Sequence, residues 1–307
     1  MSPKKKNNIF CTTKNLCLIS LLLFGHKFFA QSNFFNTDDK LEKEFKSIIC
    51  TLSDSSMGGR YAGSVYEIRA IEFLKNFLND CKQTYVVKTD TFSYCCRNDS
   101  VVTAHNLWFY PRNSTQKKIF LTAHYDHLPP NSQYSKEIWN KDKIHHGADD
   151  NASGVAMAVI LFKYLNTLPT DFQPVLILFS GHEEGLHGSE YWVQNNSISN
   201  DSVVLLVNFD MVGRLSEETN IISIHINDEN IYKDTLMKIQ SDINPVLTFE
   251  RLNETDANGF LDVNISSLSV STGIHADYHR ISDTADKINY KGMVKIFNFM
   301  TNFLGML

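Results

Sequence analysis

The chain has 307 residues, of which 43% are hydrophobic and 12% aromatic, and it carries a formal net charge of −5. This composition supplies enough apolar surface for a sizeable core and excludes a disordered or fibrous protein. The acidic balance also argues against a nucleic-acid partner, because phosphate binding requires a positive stripe.

The first thirty residues predict a secretory signal peptide, and residues 31–307 a single domain. Three lysines, Lys4 to Lys6, precede an apolar run over 16–25, and the small residue Ala30 follows. The run is too short for a comfortable membrane span, so we expect cleavage near Ala30, no stable membrane insertion afterwards, and a secreted or periplasmic protein. An uncleaved anchor is the alternative. Cleavage would remove five lysines and leave a net charge of −10.

The hydrophobic pattern predicts alternating helices and strands along the rest of the chain. Apolar residues spaced by three and four predict helices, whereas alternating or continuous β-branched runs predict strands. The predicted helices cover 38–52, 64–78, 152–165, 188–194, 230–243 and 290–304. The predicted strands cover 85–94, 101–109, 119–123, 175–179, 203–209, 221–226 and 266–270. This alternation is typical of a three-layer α/β/α domain with a mixed, mostly parallel central sheet. Disulfide pairing and buried free thiols both stay open for the cysteines.

Three of the predicted buried strands are followed by possible metal ligands. His124 comes directly after the first, Glu183 and Glu184 follow the second, and Asp210 follows the third. In open α/β sheets, ligands bind where the loops converge at the carboxyl ends of the strands. We therefore expect these side chains to meet at one rim.

Two further segments add donors of the same kind. GADDNASG contains Asp149 and Asp150 just before a predicted helix, where one acid could cap the helix and the other bridge two cations. HADYHRISD supplies His279. Imidazole nitrogens together with carboxylate oxygens form a donor set that Zn²⁺ accepts. The five segments together predict a bimetallic hydrolytic site, in which Asp126, two residues beyond His124, orients the imidazole.

Glu183 and Glu184 do not form the helical motif of zincins. That motif needs two histidines four apart on a helix, whereas His182 and His187 are five apart among glycines. Adjacent carboxylates in a tight loop can point in different directions. One would then bind a metal, and the other would act as a general base on a metal-bound water.

The five segments, in this order, resemble the secreted two-zinc aminopeptidases of the bacterial leucyl aminopeptidase and aminopeptidase Y type. The resemblance runs from LSDSSMGGRYAG at residue 52 to HADYHRISDTADKI ending at residue 288. It implies an eight-stranded mixed sheet and two Zn²⁺ ions. It also implies that Asp149 bridges the ions, with His124 and Asp210 completing one site and Glu184 and His279 the other. Glu183 would be the general base, Asp126 the residue that orients His124, and Tyr278 an oxyanion stabiliser. Where relatives often read Ser-Asp-His, this chain has Thr255-Asp256-Ala257, which leaves substrate preference open.

The resemblance predicts a secreted metallo-aminopeptidase that hydrolyses the N-terminal bond of peptides. A glutaminyl cyclase with one zinc ion is the first alternative, but the complete ligand set favours two ions and hydrolysis. A dipeptidase or carboxypeptidase of the same lineage is the second. A non-catalytic binding domain is disfavoured, since no matched ligand is missing.

Overall fold

A computed structural model describes residues 37–96, 100–112, 116–196, 202–226, 229–250 and 252–307. The predicted signal peptide over 1–30 lies outside these ranges and stays a prediction, as does secretion. Residues Asp38–Leu307 form one compact unit. Within the described ranges, no helix has the length and apolar character needed to cross a membrane.

The centre of the fold is a mixed sheet, which in the described residues has eight strands. In chain order the strands are β1 (Tyr85–Cys95), β2 (Val101–Pro111), β3 (Lys117–His124), β4 (Phe172–Phe179), β5 (Val203–Phe209), β6 (Ile221–Ile226), β7 (Asn244–Thr248) and β8 (Ser267–Ser271). Their spatial order is β1-β2-β4-β3-β5-β8-β6-β7. The inner strands β4, β3, β5 and β8 are mutually parallel. The predicted fold class, a mixed and mostly parallel sheet of about eight strands, is confirmed.

Helices cover both faces of this sheet. In chain order they are α1 (Asp38–Leu52), α2 (Val65–Phe77), α3 (Gly154–Leu165), α4 (His187–Asn195), α5 (Glu229–Met237), α6 (Asn258–Leu261) and α7 (Tyr290–Leu304). Short 3-10 turns lie at Ser55–Met57, Asn79–Gln83 and Ala285–Lys287. Ser64 begins α2 by accepting a hydrogen bond from the Glu67 amide, which satisfies one of the unpaired amides of the first turn.

Alternation along the strands divides the core into two layers. On β4, Val175, Ile177 and Phe179 join a cluster with Trp192 of α4 and Phe260 of α6. The intervening residues of the strand face the opposite layer, because side chains alternate across a sheet. There α3 is buried at ten of its twelve positions, since it lies between the sheet and the outer helices α1 and α7. This packing fixes the strand ends from which the site is built.

Two predicted elements differ from the structure. The predicted helix over 230–243 ends at Met237, and Asn244–Thr248 forms strand β7 at the edge of the sheet. Pro245 suits such an edge, because proline lacks the amide that an inner strand must donate. The helix predicted from residue 152 begins at Gly154 instead, after a kinked segment over Ala148–Ser153.

Cys50, Cys81, Cys95 and Cys96 are all free thiols, which answers the open question of pairing for these residues.

Candidate metal centre

The predicted rim is present at the carboxyl ends of the parallel strands. His124 is the last residue of β3, and Asp210 directly follows β5. The Nε2 atom of His124 lies 3.6 Å from Oδ1 of Asp210. Glu183 follows β4, and His279 follows β8, the fourth of these parallel strands. Four separate strands therefore deliver donors to one place.

The kinked segment over Ala148–Ser153 brings Asp150 to the middle of this rim. One carboxylate oxygen, Oδ1, lies 3.4 Å from Nε2 of His124, and the other, Oδ2, lies 3.3 Å from Nε2 of His279. Gly147, at φ +57°, allows the approach, because a Cβ there would lie 2.3 Å from the Asp150 carbonyl oxygen. Asp150 thus has the position that a carboxylate shared by two cations requires.

The prediction that Asp149 bridges the cations is corrected by this geometry. The carboxylate of Asp149 points away from the rim, where Oδ1 accepts a hydrogen bond from the Gly213 amide at 2.6 Å. Its Oδ2 lies 3.0 Å from Nε2 of His275. Asp150 and Asn151 have non-helical backbone angles, with φ of −105° and −132°, so neighbouring carboxylates leave the chain in different directions. Asp149 supports the segment, and Asp150 faces the site.

The side chains of Glu183 and Glu184 make different contacts from those predicted. Oε2 of Glu183 lies 3.1 Å from Nε2 of His279, and Oε1 lies 2.6 Å from Nδ1 of His127. Glu184 instead accepts a hydrogen bond from the Cys96 thiol at 2.9 Å. Within the described residues, Glu184 belongs to neither candidate metal-binding group. Glu183, and not Glu184, therefore faces the donor atoms of the rim, and both of its oxygens contact imidazoles.

Backbone carbonyls orient both predicted histidine ligands. Nδ1 of His279 lies 2.9 Å from the Tyr134 carbonyl oxygen, and Nδ1 of His124 lies 3.3 Å from that of Asp126. A proton on Nδ1 leaves the lone pair of Nε2 free for a metal, the usual arrangement of ligating histidines. In both rings Nε2 is the atom that faces Asp150.

The donor atoms form two groups that suit metal binding. His124, His182 and Asp210 form one, and His127, Asp150 and Glu183 the other; within each, the ligand atoms lie within 4.8 Å of one another. The Nε2 atom of His124 and Oδ2 of Asp150 are buried and make no hydrogen bond. Buried polar atoms are normally paired, so unpaired atoms that converge here fit a site for divalent cations.

Asp126 and Tyr278 lie beside the ligands. Oδ1 of Asp126 is 3.7 Å from Nδ1 of His124, which agrees with an orienting carboxylate, although the closer partner of the ring is the backbone oxygen. Tyr278 stacks on His279 with ring centroids 3.8 Å apart. Burial, followed by the charges of Asp150 and Glu183, raises the pKa of the Tyr278 phenol, so the hydroxyl stays protonated. Their predicted roles stay predictions.

Buried charges hold the Asp150 segment from behind. Asp283 accepts hydrogen bonds from the backbone amides of Asp149 and Asp150 at 2.9 and 3.0 Å, and its other oxygen pairs with Arg214 at 3.2 Å. Arg60 donates to the carbonyl oxygens of Leu52, His146 and Gly147. Its complete burial lowers the pKa of this guanidinium to about 10, despite the raising effect of nearby carboxylates. The sequence motif around Arg60 thus supports the site without contributing a ligand.

The charges at the rim shift several pKa values. Burial opposes the charged form of Glu183, but His127 and His279 outweigh it and hold the pKa well below its usual range. Burial likewise lowers the pKa of His279, but Asp150 and Glu183 raise it to about 10. Burial and His124 lower the pKa of His182, whereas Asp256 and Asp210 raise it to about 9. A cation that binds here must displace protons from imidazoles, so metal affinity falls as the pH falls.

A cavity of about 690 Å³ opens beside these groups. Asp126, His127, Glu183 and Glu184 form part of its wall, and Tyr61 and Tyr134 form other parts. Its volume falls in the range of small-molecule sites, and its acidic wall next to the metal-binding atoms is suited to a ligand with a positive group.

These features define an α/β protein with a cluster of histidine and carboxylate donors at the rim of its sheet. The chain belongs to peptidase family M28, whose model matches residues 107–304. Aminopeptidase YwaD of Bacillus subtilis is 28% identical over 113 residues, which cover 36% of this chain and 21% of the relative. The matched part is thus about a fifth of the length of that relative.

Two solved structures illustrate the shared fold. The zinc aminopeptidase BSAP from Bacillus subtilis superposes with a TM-score of 0.71 at 16% identity, covering 86% of this chain and 95% of the other. The glutaminyl cyclase of Porphyromonas gingivalis superposes with a TM-score of 0.70 at 15% identity, covering 86% and 98%. Similarity at this identity shows the fold alone.

Proposed function

We propose that this protein is a zinc-dependent exopeptidase, specifically an aminopeptidase that binds two Zn²⁺ ions and acts after secretion. The observation that carries the proposal is the position of Asp150, whose two oxygens lie 3.4 and 3.3 Å from the imidazole nitrogens of His124 and His279. His124 and Asp210 would hold one ion, Glu183 and His279 the other, and Asp150 both. Zinc ions held by these residues would supply Lewis acidity to the scissile carbonyl and to the attacking water.

The side chains around the ions have separate tasks in this proposal. Asp126 and the Tyr134 carbonyl keep the two imidazoles oriented, and the protonated phenol of Tyr278 donates a hydrogen bond to the oxygen that becomes negative. The cavity next to Glu183 would receive the substrate. Its acidic wall suits the free α-amine of a peptide, which favours cleavage at the amino end.

A substrate panel tests the proposal. Zinc-loaded protein should release the first residue from peptides with a blocked carboxyl end and leave N-acetylated peptides intact. A chelator should abolish the release, and added zinc should restore it. The variant D150N should lose activity by about 100-fold or more, because oxyanion and nucleophile stabilisation by the ions is lost.

The same panel separates the alternatives. Hydrolysis only of peptides with a free carboxyl end would instead identify a carboxypeptidase or dipeptidase. Conversion of N-terminal glutamine to pyroglutamate, without hydrolysis, would identify a glutaminyl cyclase. Elemental analysis adds a second criterion, since the proposal requires about two zinc ions per chain and the cyclase alternative one.

A further inference from the structure

The sequence predicts Glu183 as the general base, but its contacts in the structure do not suit that role. Its Oε1 lies 2.6 Å from His127 and its Oε2 3.1 Å from His279, so both oxygens are engaged. Hydrolysis by a water molecule still requires a group that accepts a proton and returns it to the leaving amine. That group must lie at the rim and must not be needed as a ligand.

His182 fits this position, because His124, Asp210 and Asp150 would hold the nearer ion without it, although its ring lies within the same group of donors. It precedes Glu183 in the turn after β4, and its ring stacks on that of His124 with centroids 3.7 Å apart and planes 7° apart. Its Nε2 lies 4.0 Å from Oδ2 of Asp210 and so faces the proposed ions. About 14% of the side chain is exposed, so the ring is not sealed inside the core.

Asp256 fixes the orientation of this histidine. Its Oδ2 lies 2.9 Å from Nδ1 of His182, and the carboxylate is fully buried. In the neutral ring, a carboxylate that accepts the Nδ1 proton fixes the tautomer whose Nε2 carries the lone pair, as in other carboxylate and histidine pairs. The short segment Thr255-Asp256-Ala257 thus contributes the aspartate, and His182 contributes the imidazole.

We propose that His182, positioned by Asp256, is the general base and acid of the reaction, an inference that rests on the proposed function. Nε2 takes one proton from the attacking water while the water oxygen bonds to the carbonyl carbon of the peptide. The same proton then passes from Nε2 to the leaving nitrogen as the carbon–nitrogen bond breaks. One water is consumed, and an acid and an amine are released.

Variants of the zinc-loaded full chain test this assignment. H182A removes the imidazole, H182E replaces it with a carboxylate, and D256N removes the positioning charge. The matched control is H225Q at the end of β6, because β6 runs antiparallel to β8 and places this end away from the rim. Circular dichroism and the melting temperature report folding, and H182Q carries the same expectation if H182A does not fold.

H182A should keep the zinc content of the wild type, with kcat lowered by about 100- to 10,000-fold and KM within about threefold. H182E should recover at least about tenfold of that loss, because a carboxylate also accepts protons. D256N should lower kcat by about tenfold. In the H182A background it should not lower kcat further, because the effects of residues that act as a unit do not add. H225Q should match the wild type.

Three results would overturn the assignment. Wild-type kcat in H182A would show that no proton passes through His182. Loss of zinc from H182A would make His182 a ligand of the ion held by His124 and Asp210. If the losses of kcat in H182A and D256N add up in the double variant, the two residues do not act as a unit. A wild type that hydrolyses no peptide would reject the proposed function itself, and this inference with it.

Discussion

Glu183 and Glu184 are neighbours in the chain, yet their carboxylates meet different partners, histidines for the first and a thiol for the second. We predict that E183Q loses about one bound zinc ion per chain, because a neutral amide oxygen binds a divalent cation much more weakly than a carboxylate does. E184Q should keep the zinc content of the wild type and serves as the matched control. Elemental analysis of both purified variants decides the matter, and the reverse pattern would restore the interpretation made from sequence.

At the scale of the residue, the sequence predicts which segments reach the site but not which member of an acidic pair does so. His124 ends β3 and Asp210 directly follows β5, so their positions follow from the pattern of strands, whereas His279 lies further along the loop after β8. Asp149 and Asp150, by contrast, are the same residue type, and only the kinked backbone decides which side chain points toward the site. The orientation of Glu183 depends on contacts with His127 and His279, which are distant in the chain. The sequence does not indicate the role proposed for His182, because its partner Asp256 lies 74 residues away.

The kinked segment over Ala148–Ser153 depends on Asp283, whose Oδ2 accepts two backbone amides while Oδ1 meets Arg214. We predict that D283N weakens zinc binding by about 10- to 100-fold, the usual cost of changing a group that supports a ligand. Titration of metal-free protein with zinc against a competing chelator measures this change. The control is D286N, which changes an exposed aspartate of the same stretch and should bind zinc like the wild type. Unchanged affinity in D283N would show that the segment is held by other contacts.

At the scale of the element, the sequence predicts the buried strands well and the outer elements less well. The runs that form β3, β4 and β5 are apolar and β-branched, because both of their faces are covered. Strand β7 is half-exposed and short, so its residues carry no such pattern and a helix was expected beside it. Local sequence preferences do not predict β7, because its backbone hydrogen bonds to the neighbouring strand β6 form it.

For the whole molecule, ligands from four strand ends and the kinked segment make metal binding a contribution to stability. We predict that zinc at about 100 times its dissociation constant stabilises the metal-free protein by about 2.7 kcal/mol per site. Each site therefore contributes a rise in melting temperature of roughly 5 to 10 °C for a domain of this size. Differential scanning calorimetry with zinc and with chelator measures the shift. D150N should show less than half of it, and an equal shift in D150N would contradict a shared carboxylate.

Strand β7 has one further consequence, for the behaviour of the protein in concentrated solution. It closes one border of the sheet with only five residues, and Pro245 removes one backbone donor from that border. An intruding strand from another copy would find a short, interrupted row of partners there, which discourages edge-to-edge growth into aggregates. The short length of β7 and the missing amide of Pro245 therefore protect this border.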